Sequence, residues 1–223
     1  MRYTLHMGCR ISFVGLTGLA GSGKDLFFSL SKDILKKKRK VACRVSLADQ
    51  LKEQTKSTLK SMFDIDPTDC SREEKDEIRD FLVFYGALKR KETRGRYWIK
   101  KAEKTIQAIK QNLLAEHVKN AVIFITDIRY DHYAKDERHW VQEELEGKLI
   151  HISKYKRKLS LDESLRLKES KEHDTAPNRQ EAKFDPILFE AADISLIWGE
   201  EDSPQDPNLI KVVGSTLKEI GVI

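Results

Sequence analysis

Eight residues, Gly18-Leu-Ala-Gly21-Ser-Gly23-Lys24-Asp25, combine types and spacing that could grip a chain of phosphates. Gly-x4-Gly-Lys is the phosphate-binding loop, or P-loop, pattern. Its glycines let the backbone turn tightly and point N–H groups inward, which makes an anion cradle at a helix N-terminus. Lys24 adds a full charge on a mobile stem that can reach the β- and γ-phosphates of a nucleotide. Gly18, Ala20, Gly21, Ser22, Gly23, Lys24 and Asp25 are the candidate nucleotide-binding residues. Asp25 takes the place where such loops usually carry a Ser or Thr hydroxyl that touches magnesium.

A second carboxylate has a matching setting. Val122-Ile-Phe-Ile-Thr-Asp127 reads as an apolar strand ending in Asp. At the carboxyl end of a strand beside the loop, Asp127 would point at a magnesium shell, so Asp25 and Asp127 are the candidate metal residues. A strand-ending Asp can equally just start a turn. Arg129 can reach the same cleft and bind phosphate bidentately, or it can pair with Asp131. Lys24, Asp127 and Arg129 are therefore the candidate catalytic set. In Leu47-Ala-Asp49-Gln-Leu-Lys52, Asp49 is either an acceptor contact or a helix N-cap, and Lys52 meets an acceptor phosphate or solvent. Tyr85-Gly-Ala-Leu-Lys-Arg90-Lys91, followed by Arg94-Gly-Arg96-Tyr97-Trp98, mixes cations with aromatics. Alone, that mixture suits single-stranded nucleic acid; beside a P-loop it better suits an acceptor pocket.

These residues need a scaffold, and the apolar pattern supplies one. Short β-like runs near 11–17, 41–46, 121–126, 148–153 and 193–198 alternate with helical stretches near 24–37, 48–63, 72–90, 94–117, 132–146 and 208–221. Alternation of this kind predicts a parallel sheet with crossover helices, an α/β fold. Near-continuous apolar runs such as Val122–Ile125 suit strands covered on both faces. The region 49–117 is too long for one crossover and predicts a helical subdomain over the sheet's carboxyl edge. The polar, basic region 154–180 reads as a lid or as a surface loop. The 223 residues, 39% hydrophobic and 35% charged, fit one soluble domain. No apolar run approaches the roughly 20 residues of a membrane span, and the first ten residues lack a signal-peptide core. Cys9, Cys43 and Cys70 follow no metal-ligand spacing and read as reduced residues of a cytoplasmic protein. The net charge of +5 favours anionic partners, and a nucleotide cleft explains it. The run Lys36–Lys40 reads as a solvated helix C-terminus, where cations complement the dipole, or as a nucleic-acid patch.

Taken together, Gly-Lys-Asp in the loop, Leu47-Ala-Asp-x-Leu-Lys-Glu53, Tyr85-Gly-x3-Arg-Lys91 with Tyr97-Trp-Ile99, and Thr126-Asp-Ile-Arg129 follow the order seen in bacteriophage deoxynucleoside monophosphate kinases, which the chain resembles over roughly residues 11–198. It also looks similar to animal-type phosphomevalonate kinases. The resemblance implies a P-loop kinase fold of three αβα layers: a five-stranded parallel sheet, a helical acceptor-binding insertion and a lid. It implies ATP and Mg2+, with a γ-phosphoryl group passing to a (deoxy)nucleoside monophosphate. By motif position, Gly21, Gly23, Lys24 and Asp25 hold the donor, and Asp127 assists magnesium. Asp49, Lys52, Arg90, Trp98 and Arg129 serve the acceptor side, with Arg157 and Arg166 as lid cations. A phage origin would place the enzyme in the host cytoplasm, and a homodimer is left open. Two departures stand out: Leu26 replaces the Thr that usually follows Gly-Lys-Asp, and Gly86-Ala87 stands where the phage kinases favour Gly-Thr. Two other functions compete: a small-metabolite kinase of the phosphomevalonate type, and a nucleotide-dependent nucleic-acid-binding module. Against the latter, cations are interleaved with 36 acidic residues.

Overall fold

A computed structural model describes residues 9–154, 176, 178–199 and 205–223. Arg157 and Arg166, and nearly all of the expected lid, lie outside the described residues. Five strands form one parallel sheet: β1 (Arg10–Thr17), β2 (Val41–Ser46), β3 (Asn120–Ile128), β4 (Lys148–Lys154) and β5 (Ile194–Trp198). Their order is β2-β3-β1-β4-β5, which centres β1 and puts every carboxyl end on one edge. Crevices over that edge are where open parallel sheets bind ligands. The five-stranded parallel sheet expected from the alternating pattern is present.

Each face of the sheet is covered, as continuous apolar strands require. Val122 and Phe124 of β3 point into a core closed by α1 (Lys24–Lys37) and the C-terminal helix Pro207–Glu219. Ile123 and Ile125, one residue out of phase, point into the opposite core, closed largely by Trp98, Ile99, Ala102 and Ile106 of the helix Arg96–Ala115. The period-two alternation of side chains thus splits one apolar run between two cores.

Between β2 and β3 come α2 (Leu47–Phe63), α3 (Arg72–Glu77), α4 (Arg79–Glu92) and α5 (Arg96–Ala115). The helix expected over 72–90 is broken at Ile78, whose side chain is fully buried with Leu59, Ile65 and Leu82 in a small separate core. The helix expected over 132–146 is also shorter. Asp136 caps α6 (Glu137–His139), which continues as a π-helical turn, Trp140–Glu144. Before it, the Asp136 carboxylate accepts the backbone N–H groups of His132 and Tyr133, holding them in a turn. A helix the pattern did not suggest, α7 (Arg179–Ala191), precedes β5, and α8 (Pro207–Glu219) ends the chain. Among the described residues no helix is long and apolar enough to cross a membrane. Cys9, Cys43 and Cys70 are all free.

Candidate functional site

The loop between β1 and α1 has the geometry its glycines permit. Gly23, with φ 95°, precedes Lys24, and a Cβ there would stand 2.4 Å from the Trp198 ring of β5. Only glycine fits both the left-handed backbone and that approach. Gly18, with φ 127°, is equally constrained: a Cβ would fall 2.1 Å from the Ile152 carbonyl oxygen of β4. Trp198 Nε1 donates to the Ser22 carbonyl oxygen at 2.8 Å, bracing the loop from beneath. Gly21 lies exposed at the turn and Ser22 is buried.

Lys24 is 7% exposed, and its ammonium folds back on the loop, donating to the carbonyl oxygens of Gly18 at 2.9 Å and Leu19 at 2.8 Å. Burial, reinforced by the nearby Arg129 cation, brings its pKa down from 10.5 to about 8, although Asp127 and Glu181 pull the other way. Asp25 is exposed at the head of α1, 3.5 Å from Arg44 of β2.

Asp127 is aimed by a bulge. Gly15 pairs with Ile125 but Thr17 pairs with Ile128, so β3 carries one extra residue there. Asp127 takes φ 64°, a left-handed conformation that Asp tolerates better than most side chains. Thr17 Oγ1 locks the bulge by donating to the Ile128 carbonyl oxygen at 2.8 Å. Ser46 Oγ donates to Asp127 Oδ2 at 2.8 Å and accepts the Asp49 backbone N–H at 3.1 Å, which makes Ser46 the N-cap of α2. The N-cap reading of Asp49 is therefore corrected: its carboxylate pairs with Arg44 at 2.9 Å. Despite burial, the neighbouring Arg129 and Lys24 cations hold the Asp127 carboxyl below its ordinary range.

Arg129 does not pair with Asp131, which binds Arg138 instead. Its guanidinium lies between Glu181 of α7 and Asp127, the latter at 3.5 Å. Arg90 is buried and fully engaged: it donates to both Asp136 oxygens at 2.7 Å, pairs with Glu137, and stacks 3.7 Å from the Tyr130 ring centroid. Burial pushes Glu137 up, to about 7, against the pull of Arg90. Glu137 also accepts the backbone N–H groups of Arg129 and Tyr130. The cluster ties α4 to the turn after β3, a link between the two halves of the site.

One cleft, with a cavity volume of about 230 Å³, unites most of these groups. Ala20, Asp25, Asp49, Lys52, Asp127 and Arg129 line it, with Arg90 and Trp98 deeper on the α4–α5 side. Gly18, Gly21, Ser22, Gly23 and Lys24 form the loop beneath rather than the lining. Trp98 donates to the Gly86 carbonyl oxygen at 3.2 Å. Tyr85 and Tyr97 do not line the cleft; the Gln54 side chain bridges their hydroxyls, at 2.7 and 2.9 Å. Sequence reasoning missed Arg44, Lys75 and Arg79 on the cleft wall, and Glu181. Asn178-x-x-Glu181 before Phe184 and Leu188 was the available sign of α7, and Pro186 within the helix obscured it.

Comparison with known proteins adds likenesses at low identity. No protein-family profile and no curated protein matches the chain. Among solved structures it is similar to dephospho-CoA kinase from Campylobacter jejuni, at 18% identity and a TM-score of 0.41, covering 94% of this chain and 97% of that one. It is also similar to shikimate kinase from Acinetobacter baumannii in complex with shikimate, at 11% identity and a TM-score of 0.38, with 94% of each chain covered. Both scores fall below 0.5, so the site is read from its own strand order, loop geometry and charges.

Proposed function

We propose that this chain is an ATP-dependent phosphotransferase that moves a γ-phosphoryl group onto a phosphate-bearing small molecule, with a (deoxy)nucleoside monophosphate as the acceptor its motifs favour. The observation that carries this reading is one cleft that Ala20 and Asp25 of the Gly18–Asp25 loop share with the cations Arg44, Lys52, Lys75 and Arg79. The site is a concave cleft rather than a flat macromolecular surface, and at about 230 Å³ it lies somewhat under the roughly 300–1,000 Å³ usual for small-molecule sites. Phosphoryl transfer asks a protein mainly to align two polyanions, cancel their repulsion and exclude water. Arg129, at the end of β3 next to the loop, is placed to serve both. Lys24 reaches a phosphate by giving up the carbonyl oxygens of Gly18 and Leu19.

Asp25 and Asp127 fit a magnesium shell. Mg2+ is commonly held by one or two carboxylates plus substrate phosphates and water, and these two face one cleft. The ion would supply charge neutralisation of the phosphates. Ser46 orients the Asp127 carboxylate toward that task.

A second reading, a small phosphorylated metabolite as acceptor, draws on one observation. A base would stack on a ring, yet of Tyr85, Tyr97 and Trp98 only Trp98 lines the cleft, and the Tyr130 ring beside it is already stacked on Arg90. The deciding experiment is a coupled ADP-release screen with ATP and magnesium against all ribo- and deoxynucleoside monophosphates, with phosphomevalonate alongside. Turnover of one acceptor, lost in Lys24→Ala, is the expected result. Turnover that survives Lys24→Ala near the wild-type rate would overturn the assignment.

A further inference from the structure

We propose that Glu181 is a built-in competitor for the phosphate site: its carboxylate occupies positive groups that a bound polyphosphate must take over, and so sets nucleotide affinity. This rests on reading Gly18–Asp25 as the triphosphate-binding loop. Glu181 lies on the first turn of α7, 9% exposed, and lines the cleft beside Ala20, Asp127 and Arg129. One of its oxygens accepts the Ala20 backbone N–H at 2.8 Å and pairs with the Arg129 guanidinium. The other accepts from the Asn178 side-chain amide at 2.9 Å, while Asn178 Oδ1 takes the Glu181 N–H, also at 2.9 Å. The carboxylate is thus held in place rather than loosely swung in.

Its two cationic or polar donors are the groups the site needs for phosphate. A loop amide and the arginine of the third strand's end now meet a carboxylate oxygen, much as they would meet a phosphate oxygen. With Lys24 folded onto the Gly18 and Leu19 carbonyl oxygens, the first three residues of the loop all meet the protein's own charged groups. An incoming polyphosphate has to displace this carboxylate or sit against a like charge, and either reduces its apparent affinity. The contact also keeps Arg129 aimed at the loop before any ligand arrives.

Glu181→Gln keeps the size and an acceptor oxygen for Ala20 while removing the charge. Calorimetric titration of the full chain with ATP and with inorganic tripolyphosphate should show roughly tenfold tighter binding in the variant, within the range typical of coupling between sites. Glu190→Gln, exposed near the other end of α7 and away from the cleft, separates loss of this charge from a general change in the charge of the helix. It should leave affinity unchanged. If wild type binds and Glu181→Gln binds no tighter, or if Glu190→Gln tightens binding equally, this inference fails and the P-loop reading stands. If neither wild type nor Glu181→Gln binds ATP or tripolyphosphate, the P-loop reading itself fails, and this inference with it.

Discussion

Replacing Lys24 with Met should flatten the pH dependence of folding stability above neutrality. In the native protein the Lys24 ammonium is buried beside Arg129, and its pKa lies near 8 rather than 10.5. Between those values the unfolded chain holds a proton that the native state has released, so stability rises as pH climbs through that window. Below about pH 8 the full penalty of keeping a charged lysine in the loop is present. At about 1.4 kcal/mol per pH unit, a fall from 10.5 to about 8 amounts to about 3 kcal/mol. Urea titrations of both chains at about pH 7.5, 9 and 10 measure it, because other groups titrating in that range are common to both and cancel in the difference. Wild type should gain about 2–2.5 kcal/mol on the Met variant over the series, which stops short of 10.5. Stability curves that stay parallel would refute the reasoning. A corollary concerns ATP: a bound polyphosphate favours the ammonium form, so affinity should fall as pH rises past about 8 in wild type but not in Lys24→Met.

Three other outcomes follow from contacts already described. Trp198→Phe keeps most of the ring against Gly23 but strips the donor from the Ser22 carbonyl; a loss of about 1–2 kcal/mol in thermal unfolding, with weaker ATP binding by titration, is expected. Arg90→Met leaves Asp136 and Glu137 buried without their cation, which should cost about 3–5 kcal/mol; an unchanged melting temperature would show the cluster to be dispensable. Ser46→Ala removes both the α2 cap and the Asp127 donor, so about 1–2 kcal/mol should be lost in urea titrations, together with a weaker magnesium dependence of turnover.

The strands were legible because their signal is one of burial. Val122–Ile125 is apolar at every position, as a strand between two helical layers must be, and the helix over 24–37 follows a glycine loop that sets its start. The loop itself was legible through spacing alone. What failed were details decided by partners distant in sequence. Ser46 rather than Asp49 caps α2 because the chain turns directly from β2 into the helix, with no linker between. Arg129 chose Glu181, 52 positions on, over the nearby Asp131, and α7 went unread until its contacts placed it. Arg90 carried the right charge, yet the two carboxylates that absorb it lie 46 and 47 positions away.

Trp198 carries a consequence for how this protein is made. The residue that props up the glycine loop is 176 positions from its partner Ser22, on β5, which leaves the ribosome after the other four strands of the sheet. A nascent chain can emerge with its glycine loop complete in sequence and still lack the floor on which that loop rests. On the proposed function, grip on a triphosphate should therefore appear abruptly, when β5 docks beside β4. Chains cut short before residue 194 should have no measurable hold on ATP, even though every glycine and the lysine are present.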